Sequence, residues 1–228
     1  MSNLTNLRAR VRELLADSGG SNFSDDLLDE SLQRALDEYS QFNPQQGEAL
    51  LILPGDGWEI ALHNVSGLLS VLDVYWPYDS TLAEDEQEAN RVARWFLWWD
   101  DAQPVVTLTT VDNSMPQLED EVRLWYTARH TIDGLGEGTL TSVPEMHESL
   151  LVIGAAGFSA MSKSAELMLT ADADMYAATL MATWGRAKEG EFRKLLSQLA
   201  VQIGVSGPAQ AANRARQGWK MDKWDRGY

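Results

Sequence analysis

The side chains able to do chemistry are few in kind and scattered. His63, His130 and His147 fall in different segments, and none has a second histidine three or four residues on. That spacing is what sets two imidazoles on one helix face for a metal. The chain has no cysteine, which removes disulfides, thiolate zinc sites and a catalytic thiol. Gly157-Phe158-Ser159-Ala160-Met161 lacks the second glycine of a nucleophile elbow. Gly134 to Ser142 is glycine-rich but has no Lys-Ser or Lys-Thr pair, so it fails as a phosphate loop. Carboxylates cluster at Asp25-Asp26, from Asp79 to Glu88, at Asp100-Asp101 and at Glu119-Asp120-Glu121. A pair of them could run glycoside hydrolysis. Among 34 acidic residues adjacency singles out none, and charge runs are mostly solvated faces. His147 beside Glu145 and Glu148 reads as the solvated first turn of a helix. The sequence thus assigns no catalytic, metal-binding or cofactor-binding residue and points away from an enzyme.

The aromatic residues are more distinctive. There are nine tryptophans, and Trp95, Trp98 and Trp99 crowd one segment. On a strand, Trp95 and Trp99 share a side and Trp98 takes the other. The plain reading is core rings plus one exposed ring; the sharper ones are a subunit interface or a sugar-stacking platform. The end of the chain carries Arg214, Arg216, Lys220, Lys223 and Arg226 among Trp219, Trp224 and Tyr228. A segment this short cannot bury two tryptophans against itself. It either folds back on its own domain or docks on a partner, and aromatic anchors on a small-residue linker favour docking.

Charge sharpens that contrast. The formal net charge is −16. Residues 214–228 contribute +3, so the rest of the chain carries −19. So acidic a body is a poor grip for nucleic acid, whose affinity comes mainly from phosphate neutralisation. It suits solubility, basic partners, or a wall that nucleic acid slides past. The N-terminus has no apolar run of a secretory signal, and no stretch approaches the roughly 18 apolar residues of a membrane span. A soluble protein made in the cytosol is expected.

The elements that must position these residues follow from periodicity. Leu4, Leu7, Val11, Leu14 and Leu15 share helical spacing, and Asp17 to Asn22 reads as a loop. Ser24 is a good N-cap, with Asp25 and Asp26 in the first turn. Phe23 can staple onto Leu28. Leu28, Leu32, Ala35, Leu36 and Tyr39 form one face, and Asn43-Pro44 stops the helix. Two apolar runs then flank Pro54-Gly55-Asp56-Gly57, a hairpin signal. Residues 67–77, 93–100, 104–111 and 121–129 are strand candidates rich in branched and aromatic residues. In the last, Val122, Leu124 and Tyr126 alternate with Arg123, Trp125 and Thr127. Residues 80–93 are acidic, a surface loop or short helix.

Helical periodicity returns after Ser142, which with Glu145 makes a capping box; Pro144 is tolerable in the first turn. Gly154 and Gly157 sit mid-helix, each costing about 1 kcal/mol against Ala, which predicts close approach of another helix. Asp172 or Asp174 can cap a final helix running through Ile203, with Gly204 as its stop. The expected fold is α+β. A helical bundle built from residues 1–44 and 142–204 is interrupted by an antiparallel β domain at 45–132. A linker from 205 leads to the C-terminal arm.

The opening resembles that of the head-to-tail connector (adaptor) proteins of tailed bacteriophages. The residues that carry the likeness are Leu7-Arg8, Val11-Arg12, Phe23-Ser24-Asp25 and Tyr39-Ser40. Residues 125–135 and 143–161 resemble the run into the third helix of longer members, and residues 218–224 resemble their C-terminal arm. The likeness covers about two thirds of the chain in the order of its motifs. The β insertion departs from the minimal all-helical members. The resemblance implies a virion neck protein, assembled in the host cytoplasm. It implies a dodecameric ring under the portal protein, with arms of residues 214–228 reaching the portal. The next neck or tail component would bind below, and DNA would pass through the lumen without specific binding. Trp219 and Trp224 would be the buried anchors, with Lys220, Lys223 and Arg226 as charge partners. The alternatives are a carbohydrate-binding module using the Trp95–Trp99 segment, or a stopper or tail-terminator role in the same neck.

Overall fold

The computed structural model describes residues 2–87, 90–101, 103–110, 114–169 and 174–202, with only the backbone of 84, 85 and 202. Asp172, the helix stop at Ile203-Gly204, the linker and the arm lie outside the described residues. In chain order the elements are α1 (Leu4–Leu14), α2 (Asp25–Phe42), β1 (Gln45–Ile52), β2 (Glu59–Ala61) and β3 (Leu68–Tyr75). Then come α3 (Glu84–Gln87), β4 (Arg94–Asp100), β5 (Gln103–Thr109), β6 (Glu121–Ala128), α4 (Glu148–Met168) and α5 (Met175–Gln202). The fold is α+β. Two compact units result: one joins Met1–Asn43 to His130–Tyr228, the other is Pro44–Arg129.

In the helical unit, α1 starts where Asn3 accepts a hydrogen bond from the Asn6 N–H. α2 starts where Ser24 accepts from the Leu27 N–H, as its N-cap chemistry dictates. Phe23 and Leu28 flank that cap, both inside one apolar core. Leu7, Val11, Leu28, Leu32, Leu151, Phe192 and Leu196 are fully buried there. Each such side chain contributes about 1.5–3 kcal/mol by leaving water. α2 ends at Asn43, because the residue before a proline is pushed out of helical geometry.

The two long helices meet backbone to backbone. A Cβ added to Gly154 would sit 3.0 Å from the Phe192 ring, and one on Gly157 would sit 2.9 Å from the Glu189 nitrogen. Gly185, on α5, would place its Cβ 3.0 Å from the Gly157 carbonyl oxygen. The mid-helix glycines thus serve the close approach that their cost predicted. α5 starts where Asp174 accepts from the Tyr176 and Ala177 N–H groups.

The start of α4 differs from expectation. Ser142 does not cap it. A 3-10 turn over Glu145–His147 precedes the helix without a side-chain cap. The Ser142 hydroxyl instead accepts from the Thr131 N–H and bonds His130 Nδ1, both at 2.9 Å.

In the β unit every strand pair is antiparallel. The sheets have the orders β1-β6-β3 and β2-β5-β4, and an apolar core of Ile60, Leu62, Val74, Val106, Val122 and Leu124 draws on both. The hairpin expected around Pro54–Gly57 does not form: β1 pairs with β6 and β2 with β5. The intervening loop bonds elsewhere. Leu53 exchanges backbone hydrogen bonds with Glu119 and Asp120, Gly57 donates to Pro116, and Asp56 accepts from the Leu118 N–H. Those long-range contacts carry the chain from one sheet to the other. Among the described residues no helix is long and apolar enough to cross a membrane.

Candidate functional site

The residues singled out by the opening motif converge. Arg8 on α1 forks onto Asp29 of α2, its Nε 2.5 Å from Oδ1, and reaches Asp25 at 3.1 Å. Its hydrogen bond to Asp29, above all, holds the guanidinium pKa above its usual value. Arg12 bonds Asp25 at 2.5 Å, Asp17 at 3.1 Å and the Phe23 carbonyl at 2.9 Å. Asp17 is buried and also accepts from the N–H groups of Ser21, Asn22 and Phe23. Burial alone would raise its carboxyl pKa; these donors and Arg12 outweigh it and hold the pKa low. The Asp/Gly loop between the helices is thus closed around one carboxylate. The arginine-aspartate pairs set how α1 lies on α2.

A second polar cluster joins α2 to the start of α4. Tyr39, fully buried, accepts from Asn43 Nδ2 at 2.6 Å and reaches His147 Nδ1 at 2.7 Å. When His147 carries its proton on Nε2 alone, the hydroxyl donates to Nδ1. His130 reaches the Asn43 carbonyl through Nε2 at 2.9 Å. A carbonyl only accepts, so Nε2 carries a proton, and in the neutral ring Nδ1 then accepts from Ser142. Burial lowers the pKa of both histidines. The Ser40 hydroxyl accepts from the His130 N–H at 3.0 Å.

Beside them Glu148 is only 1 % exposed. It accepts from the Ser2 N–H and hydroxyl, both at 2.7 Å, and from Arg10 at 2.8 Å. Burial would raise its pKa, but these donors keep the carboxylate charged below its usual range. The sequence reading of His147, Glu145 and Glu148 as a solvated first turn is therefore corrected: His147 and Glu148 are structural members of a bonded junction. Their partners lie more than a hundred residues away, and nothing local in the sequence marks them. The arrangement fixes helices, and burial favours the neutral form of both imidazoles.

The Trp95–Trp99 segment forms β4. Trp95 packs on the β core. Trp98 is 37 % exposed and donates from Nε1 to Thr107 Oγ1 at 2.9 Å. Trp99 shares the Trp95 side but is 55 % exposed, so it does not join the core as alternation predicts. It lies beside the turn that closes β4 onto β5 at Asp100 and Gln103, past the packed layer. The arm residues Arg214, Arg216, Trp219, Lys220, Lys223, Trp224, Arg226 and Tyr228 lie outside the described residues. No group of three His, Asp or Glu side chains suited to a metal occurs among the described residues.

One feature was missed in the sequence. A groove of about 570 Å³ in the helical unit is lined by Leu14, Leu15, Phe23, Leu180, Met181 and Trp184, with Lys163 at its wall. The pair Leu14-Leu15 was the available signal, since adjacent leucines at a helix end cannot both face one core.

No protein-family model and no curated protein matches the sequence. Three solved structures that align with it come from gene transfer agent (GTA) particles. A chain from the neck of the empty GTA particle, with C6 symmetry, is 18% identical. The alignment covers 79% of this chain and 87% of that one, with a TM-score of 0.31. A chain from the neck of the native particle, with C12 symmetry, is 18% identical over 79% and 89%, with a TM-score of 0.28. One from the virion of the native particle is 17% identical over 79% and 86%, with a TM-score of 0.27. At such scores the likeness carries no argument about fold or function.

Proposed function

We propose that the chain is a structural protein of a tailed-phage neck, a head-to-tail adaptor that forms a dodecameric ring under the portal. The arm of residues 214–228 anchors the ring to the portal, the next neck or tail protein binds below, and DNA passes through the lumen without specific contacts. The protein has no catalytic role in this reading. The observation that carries it is the convergence of the motif residues. Leu7-Arg8, Val11-Arg12 and Phe23-Ser24-Asp25 supply the buried apolar contacts, the paired charges and the helix cap of the α1–α2 hairpin, and Tyr39-Ser40 bond it to the segment that leads into α4. The motif order that resembles the connectors is thus a working set of contacts in this chain. The composition of the arm, basic and aromatic on an acidic body, supports the anchoring role, because aromatic side chains dominate binding hot spots.

Electron microscopy of the full chain mixed with purified portal tests this. Twelvefold rings capping the portal are expected. Portal particles that stay bare at saturating protein concentrations contradict the proposal.

A further inference from the structure

The four outer strands of the two sheets are not equally protected. β1 begins with the polar run Gln45-Gln46-Gly47-Glu48. β2 has three residues. β3 carries two register shifts and is bridged by Arg91. β4 has none of these devices. It pairs with β5 in unbroken register over seven residues, contains no Lys, Pro or Gly, and ends its sheet. Phe96, Trp98 and Trp99 are exposed along it, Phe96 by 64 %. An apolar, unbroken edge of this kind is a template for another strand.

The sequence of β4, Arg94-Trp95-Phe96-Leu97-Trp98-Trp99-Asp100, says which strand. About Leu97 it is self-complementary. Run antiparallel to a copy of itself, it sets Arg94 opposite Asp100, Trp95 opposite Trp99, Phe96 opposite Trp98 and Leu97 opposite Leu97. The hydrogen-bonding groups agree with that register. A two-residue connection closes on a hydrogen-bonded pair, here Asp100 and Gln103. Bonded and non-bonded pairs alternate along an antiparallel ladder, so Trp98, Phe96 and Arg94 bond toward β5. Trp99 faces Pro104, which has no N–H to give. The backbone groups of Trp95, Leu97 and Trp99 therefore point to the open edge. The self-complementary register matches just those three residues with one another. A shift of one residue breaks this match. A shift of two sets Asp100 opposite Phe96 or Val92 instead of an arginine.

We propose that β4 is a self-recognition strand, joining two copies of the chain into one continuous antiparallel sheet about a two-fold axis at Leu97. Charge at the two ends selects the register, and aromatic pairs on both faces supply contact area. Such an isologous contact joins two copies and stops, whereas a cyclic ring needs a head-to-tail contact. The pair is thus a state of the free protein, and its failure leaves the adaptor reading untouched.

Sedimentation equilibrium of the full chain, with circular dichroism to check folding, is the test. The wild type is expected at twice the chain mass. Arg94→Asp alone, and Asp100→Arg alone, set like charges opposite each other at both ends and should weaken the dimer about tenfold or more. The double variant Arg94→Asp/Asp100→Arg should restore it. The two positions lie about 20 Å apart on one strand, so rescue cannot come from contact within a chain. Dimeric wild type, weakened single variants and a restored double variant support the proposal; any other pattern overturns it.

Discussion

In the helical unit Asp17, His130 and Glu148 are buried, and each is bonded to named partners. In the β unit the buried polar groups among the described residues are Gln87 and Thr127, neither ionisable, and Leu50, Ile52, Phe96 and Trp99 stand exposed, as Leu140, Leu169 and Tyr176 do in the helical unit. The two regions differ in what they bury. Buried polar groups must find partners of the right geometry or cost stability, so the helical unit has one arrangement of its hairpin on its long helices. Exposed apolar groups cost nothing comparable in isolation, but large patches of them mark surfaces that meet other molecules. Both units leave such side chains exposed, but among the described residues only the helical unit buries ionisable groups, and their pairing helps to hold its shape.

The same chemical change should have unequal effects at a buried site of one unit and an exposed site of the other. Phe192→Ala empties a fully buried site against Gly154 and Phe158 and should cost about 3–5 kcal/mol. Phe96→Ala removes an exposed ring of the same size and should stay within about 0.5 kcal/mol in folding stability. Chemical denaturation of both variants checks this, and equal losses would break the comparison.

Acid sharpens the contrast further. His130 and His147 have folded pKa values lowered, first of all by burial. The unfolded chain then takes up protons first as pH falls. The stability these histidines provide is complete above about 6.5, the unfolded value, and is lost as pH drops from there toward the folded values. Asp17 and Glu148, with folded values also lowered, add a further loss below the ordinary carboxylate range. Amide exchange across α2, compared at pH 7.5 and pH 5.5, should show weaker protection at the lower value once intrinsic rates are corrected. Unchanged or stronger protection would contradict the neutral assignment of the two rings.

What was legible in the sequence was what is local. The spacing of Leu4, Leu7 and Val11, the Ser24 cap and the cost of Gly154 and Gly157 each name a physical requirement within a few residues, and the structure meets them. What escaped was set by distant partners. Pro54–Gly57 carries every local sign of a hairpin, yet the choice between β6 and β5 as partners for the flanking strands rests on contacts some sixty residues off. Ser142 and Glu145 have the spacing of a capping box, but His130 and Thr131 claim the serine. Trp99 obeys the alternation of its strand and still misses the core, because alternation gives a face and not the extent of the layer beneath it. The basic aromatic arm was legible as composition alone.

The central claim is that this chain joins heads to tails through that arm. Complementation of a phage lacking the protein, with the full chain or with residues 214–228 deleted, tests it most directly, scored as filled heads joined to tails. The deletion should leave the protein folded and soluble but abolish joining, and Trp219→Ala with Trp224→Ala should reproduce the loss. Joining at normal yield by the truncated protein would contradict the account.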